Sequence, residues 1–480
     1  MRLHCHPAAA RYRLDSTTTQ PFATFPPAGR HLAPTGEPVT TGAPIDHGDR
    51  REERDRVPVM RNMRRGLRIG TVSVSLLLAM SCVAACSGSS KDKSGGAPAG
   101  ASGTSGGGSK APIVIGNIGT YSGVGSSSQG GYRQGLQAWM NATNDAGGIN
   151  GHPIKLITVD DAGNPTTALT EVQKMVTNDH IVALLSPASA TTAYMSYLSG
   201  MGIPAITASG FYGISPGLTL NASTSLLAFS KAEATLAKLN GKTSYADIYC
   251  AEVTICKSSD ASQKAEAEKL GMKFVSFAQA ASASSYTAAC LQLKAAGIQA
   301  VALNGFTDMD LRFAKDCVQQ GYHPLWLTVG TALTPAFLST PALSGLQAAL
   351  LDFPWFEDDS PATSAFQAAL TKYLPDIKSD ALNYSPNLSA AYAAGMVFTK
   401  AATSAPDPTN VKDLLGGLAK ITADDFGGLT PPLTFGTPDL LSNPSKYVQP
   451  QANCFFAIEN QNGVWGKVTG QSTYSACVKD

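Results

Sequence analysis

Three short segments combine residue types that could grip a small anion. Thr120-Tyr-Ser-Gly-Val-Gly-Ser-Ser-Ser-Gln-Gly-Gly131 is rich in Gly and Ser and runs into a helical pattern. The free N–H groups at a helix start favour negative charge. Ser186-Pro-Ala-Ser-Ala-Thr-Thr192 enters another helical pattern, where Ser189, Thr191 and nearby N–H groups could hold a carboxylate; simple helix capping by Ser or Thr is the alternative role. Ala208-Ser-Gly-Phe-Tyr-Gly213 adds two adjacent aromatics, Phe211 and Tyr212, suited to a partly apolar ligand.

Other chemistries find little support. Gly123 and Gly125 are followed by Gly130 rather than by a glycine three residues on, which breaks the dinucleotide-binding spacing, and no GxxxxGK[ST] loop occurs. Ser189 has no GxSxG elbow. His152, His180 and His323 are far apart in sequence, and His4-Cys5-His6 lies in an N-terminal stretch with no periodicity, so neither a metal nor a cofactor is expected. The chain reads as a binder and not an enzyme. With a formal net charge of +1 and 15% charged residues, it lacks the basic field that recruits nucleic acid.

The elements that must position these loops alternate strand and helix. Apolar runs at Ile113–Ile118, Ile154–Asp160, Ile181–Leu185 and Pro204–Thr207 read as buried strands. Between them lie helices over Gln129–Ala146, from Asn164-Pro165 onward, and over Thr191–Gly200. A second unit has strands at Tyr245–Cys250, Met272–Phe277, Ile298–Leu303, Leu325–Val329 and Ala348–Phe353, with helices that include Ser259–Leu270 and Tyr286–Ala296. Helices at Thr363–Tyr373, Leu388–Thr403 and Val411–Leu418 precede a β-rich end, Cys454–Val468, that turns at Asn462-Gly463. This rhythm implies mostly parallel sheets covered on both faces. In such sheets ligands sit beyond the carboxyl ends of the strands, where the three segments fall.

The N-terminal region carries targeting information. Arg61, Arg64, Arg65 and Arg68 precede an apolar run, Ile69–Val83, followed by Ala84-Ala85-Cys86-Ser87-Gly88, the plan of a secretory signal. Polar Ser and Thr dilute a run already short for a membrane span. Val83-Ala84-Ala85-Cys86 resembles a bacterial lipobox, which marks Cys86 for diacylation and the chain for the outer face of the cell membrane. Ser87–Lys110, nearly all Gly, Ser, Ala and Lys, reads as a flexible tether. Translation is expected to start at Met60 or Met63, leaving 1–59 as a non-translated or disordered extension. Six cysteines follow Cys86, an even number that points to disulfides in an exported domain. Pairing neighbours in order gives Cys250–Cys256, Cys290–Cys317 and Cys454–Cys477, among 15 possible connectivities.

Several of these residues are familiar together. Ile115-Gly116 with Tyr121-Ser122-Gly123, Asn144-Asp145-Ala146-Gly147-Gly148-Ile149-Asn150-Gly151, Val159-Asp160-Asp161 with Asn164-Pro165, Gly202–Ile206 and Phe426–Pro431 resemble the leucine/isoleucine/valine-binding protein family, type I periplasmic binding proteins. The resemblance covers about Pro112 to Val468. It implies an α/β fold of two doubly wound lobes with a hinge of three crossovers, closing on ligand like a trap. The expected division is 60–85 signal peptide, 86–110 tether, 111–230 with 357–434 as lobe 1, and 231–356 with 435–480 as lobe 2. It implies capture of an amino acid of branched-chain type or a related small polar molecule by a monomer. The cargo would pass to the permease and ATPase subunits of an ABC importer, or the same trap would report to a signalling partner. Amides, urea-like compounds and aromatic acids are alternative ligands. Carried onto this chain, the ligand contacts fall on Tyr121, Ser128, Ser189, Ala190, Thr191, Ser209, Phe211 and Tyr212 in lobe 1. In lobe 2 they fall near Phe306 and Thr307, with Asp308 or Glu252 as the acid for a ligand amine.

Overall fold

The structure is a computed structural model that describes residues 110–123, 126–187, 194–208, 216–252, 257, 260–330 and 333–478, without the side chains of 127 and 128. Signal peptide, tether and Cys86 lie outside these residues. Strands β1 (Ile113–Gly119), β2 (Ile154–Asp160), β3 (Ala183–Leu185), β4 (Ala205–Thr207) and β5 (Thr219–Asn221) form one sheet, in the order β2-β1-β3-β4-β5. All its pairings are parallel, and β1 and β2 run in register from Ile113↔Ile154 to Gly119↔Asp160. The second sheet, eight-stranded among the described residues, holds β6 (Ser244–Cys250), β7 (Lys273–Gln279), β8 (Ala300–Asn304), β9 (Leu325–Val329), β10 (Gln347–Leu350), β11 (Cys454–Asn460), β12 (Trp465–Lys467) and β13 (Ser475–Cys477). Its order is β12-β11-β10-β9-β8-β6-β7, with β13 also on β11; β6–β10 are parallel and the last three strands antiparallel.

The helices are α1 (Tyr132–Asp145), α2 (Pro165–Thr177), α3 (Met195–Gly200), α4 (Leu226–Leu239), α5 (Asp260–Lys269), α6 (Thr287–Ala295), α7 (Thr307–Gln319), α8 (Pro335–Ser339), α9 (Pro361–Tyr373), α10 (Pro386–Thr403), α11 (Val411–Leu418) and α12 (Pro438–Ser442). Local signals set their starts. Asn164 caps α2 by accepting from the N–H groups of Thr166 and Thr167, with Pro165 at the first helical position. Ser360 and Thr363 form a reciprocal capping box on α9. Helix α1 begins at Tyr132 and not at Gln129, because Gly131 sits at φ +87°, outside the right-handed helical region, after a 3-10 turn over Ser126–Gln129. Helices α1 and α10 approach closely: a Cβ on Gly395 would lie 2.3 Å from the Trp139 ring.

Helices α9 and α10 return to pack with α1, α11 packs on α10, and the chain then rejoins the second sheet at β11. It therefore crosses between the sheets three times, and the crossovers are tied to one another. Thr224 donates from its N–H and its hydroxyl to the Leu351 carbonyl. Asn221 N–H donates to Gln449 Oε1 at 2.6 Å, Gln449 Nε2 donates to the Asn221 carbonyl at 2.8 Å, and the Ser225 hydroxyl donates to the Ala452 carbonyl. These bonds draw the chain out of the sheet after Leu350, so the strand expected over Ala348–Phe353 stops there.

The expected lobe breaks also move. α4 packs on β9, β10 and β11 as one helix, so a break at 230/231 would cut it. Phe435, Leu440 and Tyr447 are buried in the core beside α1 and α10, and the Tyr447 hydroxyl donates to the Phe435 carbonyl. The third crossing thus falls near Gln449–Ala452 and not at 434/435. Disulfides join Cys290 of α6 to Cys317 of α7 and Cys454 of β11 to Cys477 of β13. Cys250 is also disulfide-bonded; Cys256 lies outside the described residues.

Candidate functional site

The carboxyl ends of both sheets meet at one place. Ala208, just beyond β4, and Gly330, just beyond β9, line the same small cavity with Leu351, Asp352 and the start of α10. The cavity measures about 20 Å³, room for a single water. Asp352 is 3% exposed, and neither of its carboxylate oxygens has a partner among the described residues. Burial raises its pKa well above the ordinary range, so it holds its proton.

Around the end of β1 the backbone is held by side chains. Asp160 Oδ1 accepts from the N–H groups of Tyr121, Ser122 and Ala162. Against the upward pull of partial burial, hydrogen bonds from Ser122, Ala162 and Tyr121 hold its carboxyl below the usual value. Asp161 accepts from the Thr120 hydroxyl at 2.7 Å and from Gly163 N–H at 2.8 Å. The Tyr121 hydroxyl donates to Asn117 Oδ1, Asn117 Nδ2 donates to the Leu185 carbonyl, and Arg133 sits over the Tyr121 ring at 5.4 Å. Burial raises the Tyr121 pKa, so the phenol stays neutral. Tyr121 is thus a fixed wall of the loop, with its hydroxyl already engaged.

On the second sheet, β6 and β8 are neighbours, and Glu252 and Phe306 lie just beyond their ends. Glu252 is exposed and accepts from Ala281 N–H at 2.7 Å. Phe306 is 47% exposed and precedes α7, which opens with Thr307 and the exposed Asp308. Both acids are therefore open to solvent at the same sheet end. Ser128 lies on the 3-10 turn before α1. Ser189, Ala190, Thr191, Ser209, Phe211 and Tyr212 lie outside the described residues.

Behind this end is a buried acidic group absent from the sequence reading. Asn304 Nδ2 donates to both Glu233 and Asp247, and the Gly305 N–H donates to Asp310. Burial, then the neighbouring Asp247, pushes Glu233 up to about 8; burial pushes Asp247 up to about 7 and Asp310 well above its usual range.

A larger cavity of about 270 Å³ is lined by Leu333, Thr334, Pro335, Leu338, Trp355, Phe356, Tyr384, Gly463, Val464 and Trp465. Sequence reasoning missed its aromatics. Pro354-Trp355-Phe356, directly after a strand, and Trp465, two residues past the Asn462-Gly463 turn, were the available signals.

Comparison with known proteins places this architecture. The periplasmic binding protein family profile matches residues 112–439, and the chain belongs to that family, one of binding proteins and not of enzymes. An extracellular ligand-binding receptor from Verminephrobacter eiseniae superposes with a TM-score of 0.60 at 17% identity, over 74% of this chain and 99% of that one. A branched-chain amino acid ABC transporter protein from Thermus thermophilus, solved with bound valine, gives 0.60 at 16% identity over 75% and 96%. These show the shared fold. An amino acid binding protein from Pseudomonas aeruginosa is 34% identical over 99 residues, which is 20% of this chain and 26% of that relative's length.

Proposed function

We propose that this chain is an extracytoplasmic solute-binding lipoprotein of an ABC importer, capturing an amino acid or a related small carboxylate by lobe closure. The observation that carries this is the convergence of the ends of β4 and β9 on one cavity beside three hydrogen-bonded crossovers. A ligand that touches both sheet ends favours the closed form over the open one. Helix starts and hydroxyl groups at Ser189, Thr191 and Ser209 supply the carboxylate donors, and Glu252 or Asp308 the acid for an amine. Cys86 carries the lipid, and the Gly/Ser tether lets the domain reach the permease.

Thermal melts with a broad panel of amino acids and small carboxylates test this reading. A ligand at ~100 times its dissociation constant adds about 2.7 kcal/mol, enough to raise the melting midpoint measurably. A panel that leaves the midpoint unmoved throughout sinks it.

A further inference from the structure

The 270 Å³ cavity is built for something other than a small polar group. Four of its ten lining residues are aromatic: Trp355, Phe356, Tyr384 and Trp465. Trp355 meets Phe356 edge to face at 5.2 Å and Tyr384 at 6.4 Å. An apolar cavity of ~150 Å³ already takes up benzene, so this one has room for one substituted ring or two fused rings. Its wall is drawn from the segment after β9, the crossover after β10, the approach to α10 and the tip of the β11–β12 hairpin. Leu333 and Trp465 pack against both the core around α1 and α10 and the core of the second sheet, so the cavity lies where the two meet. The hairpin falls beyond residues 112–439, the span of the family profile. Val464, 67% exposed, leaves a mouth open to solvent. Thr334 Oγ1 is buried in the lining and has no hydrogen-bond partner among the described residues. A buried hydroxyl without a partner is costly, and a polar substituent on an occupant would satisfy it.

We propose that this cavity receives the ring of the captured solute, and that the solute is a small aromatic compound of one or two rings bearing a polar substituent that meets Thr334. This rests on the reading of the chain as a solute trap and narrows its ligand class. An aliphatic chain of equal size would bury similar area but lacks the edge-to-face attraction. That attraction gives a preference of roughly two- to tenfold per ring pair.

Trp355 and Trp465 report directly on the cavity, so titration of the mature protein is followed by tryptophan fluorescence. The probes are phenylalanine, 3-phenylpropionate and indole-3-acetate, set against leucine and hexanoate. At least one aromatic probe should give a saturable change and bind at least fivefold more tightly than its aliphatic counterpart. Trp465→Ala should weaken that probe at least tenfold. Val464→Glu, at the exposed mouth where folding is not at stake, should weaken it as well. Aromatic binding that both variants leave unchanged overturns the assignment of the cavity. Binding of leucine or hexanoate without any aromatic preference overturns the ligand class while leaving the solute trap standing. Silence from these probes and from the whole amino-acid and carboxylate panel overturns both.

Discussion

Glu233 and Asp247 are the residues whose chemistry most exceeds what their types announce. Both are wholly buried, and Glu233 Oε1 and Asp247 Oδ2 have no hydrogen-bond partner among the described residues. In the unfolded chain such carboxyls titrate near ~4. Folded, they release protons only near 8 and 7. Between roughly pH 4.5 and 7 the unfolded state therefore binds fewer protons than the folded one, and stability falls as pH rises, by about 1.4 kcal/mol per pH unit per group. The contribution is complete below the unfolded pKa and gone above the folded one. Melting midpoints measured from pH 4.5 to 8.5 should decline across this window. Glu233→Gln, which keeps the hydrogen bond from Asn304 and cannot ionise, should flatten the decline. A profile that rises toward pH 8 would contradict these protonation states.

At the scale of elements, α6 and α7 are joined to each other by the Cys290–Cys317 bond, closing a separation of 27 residues. Chain-entropy reasoning assigns such a loop about 3.5 kcal/mol, by a mechanism whose enthalpic share is debated. The double variant Cys290→Ser, Cys317→Ser should lose 2–5 kcal/mol in denaturant unfolding, because two hydroxyls are also placed at fully buried positions. The strands flanking this pair were legible from their apolar runs, and Leu325–Val329 needed no adjustment. So was the start of α2, because Asn164-Pro165 acts through its own backbone. The short strand Thr219–Asn221 was not, since its Thr and Asn are polar and their burial depends on partners far along the chain, Gln449 among them. Trp355 and Trp465 stayed hidden as site residues for a similar reason: an aromatic after a strand or turn reads equally as core, and only the fold shows both walling one space.

For the molecule as a whole, motion between the sheets must pass through the three tied crossovers. Gln449 is 3% exposed and grips both backbone groups of Asn221. Gln449→Ala strips two buried groups of their partners, and each loss costs about 1–3 kcal/mol. Denaturant unfolding should show a midpoint drop of that order. If closure turns on these links, small-angle scattering should also show a different change in radius on adding ligand. An unaltered radius change would mean that the pivot lies in the remaining links, Thr224–Leu351 and Ser225–Ala452.

The weaving of the chain has a further consequence, for its biogenesis. Strand β10 and its antiparallel neighbour β11 are separated in the chain by α9 and α10, which pack on α1, and by α11, which packs on α10. The second half cannot be finished while the last segment is still being made, because β13 with Cys477 completes its sheet. Long-range pairing of this kind is slow to form. For the exported protein proposed above, this late closure keeps the second sheet open until the segment that carries β13 is in place.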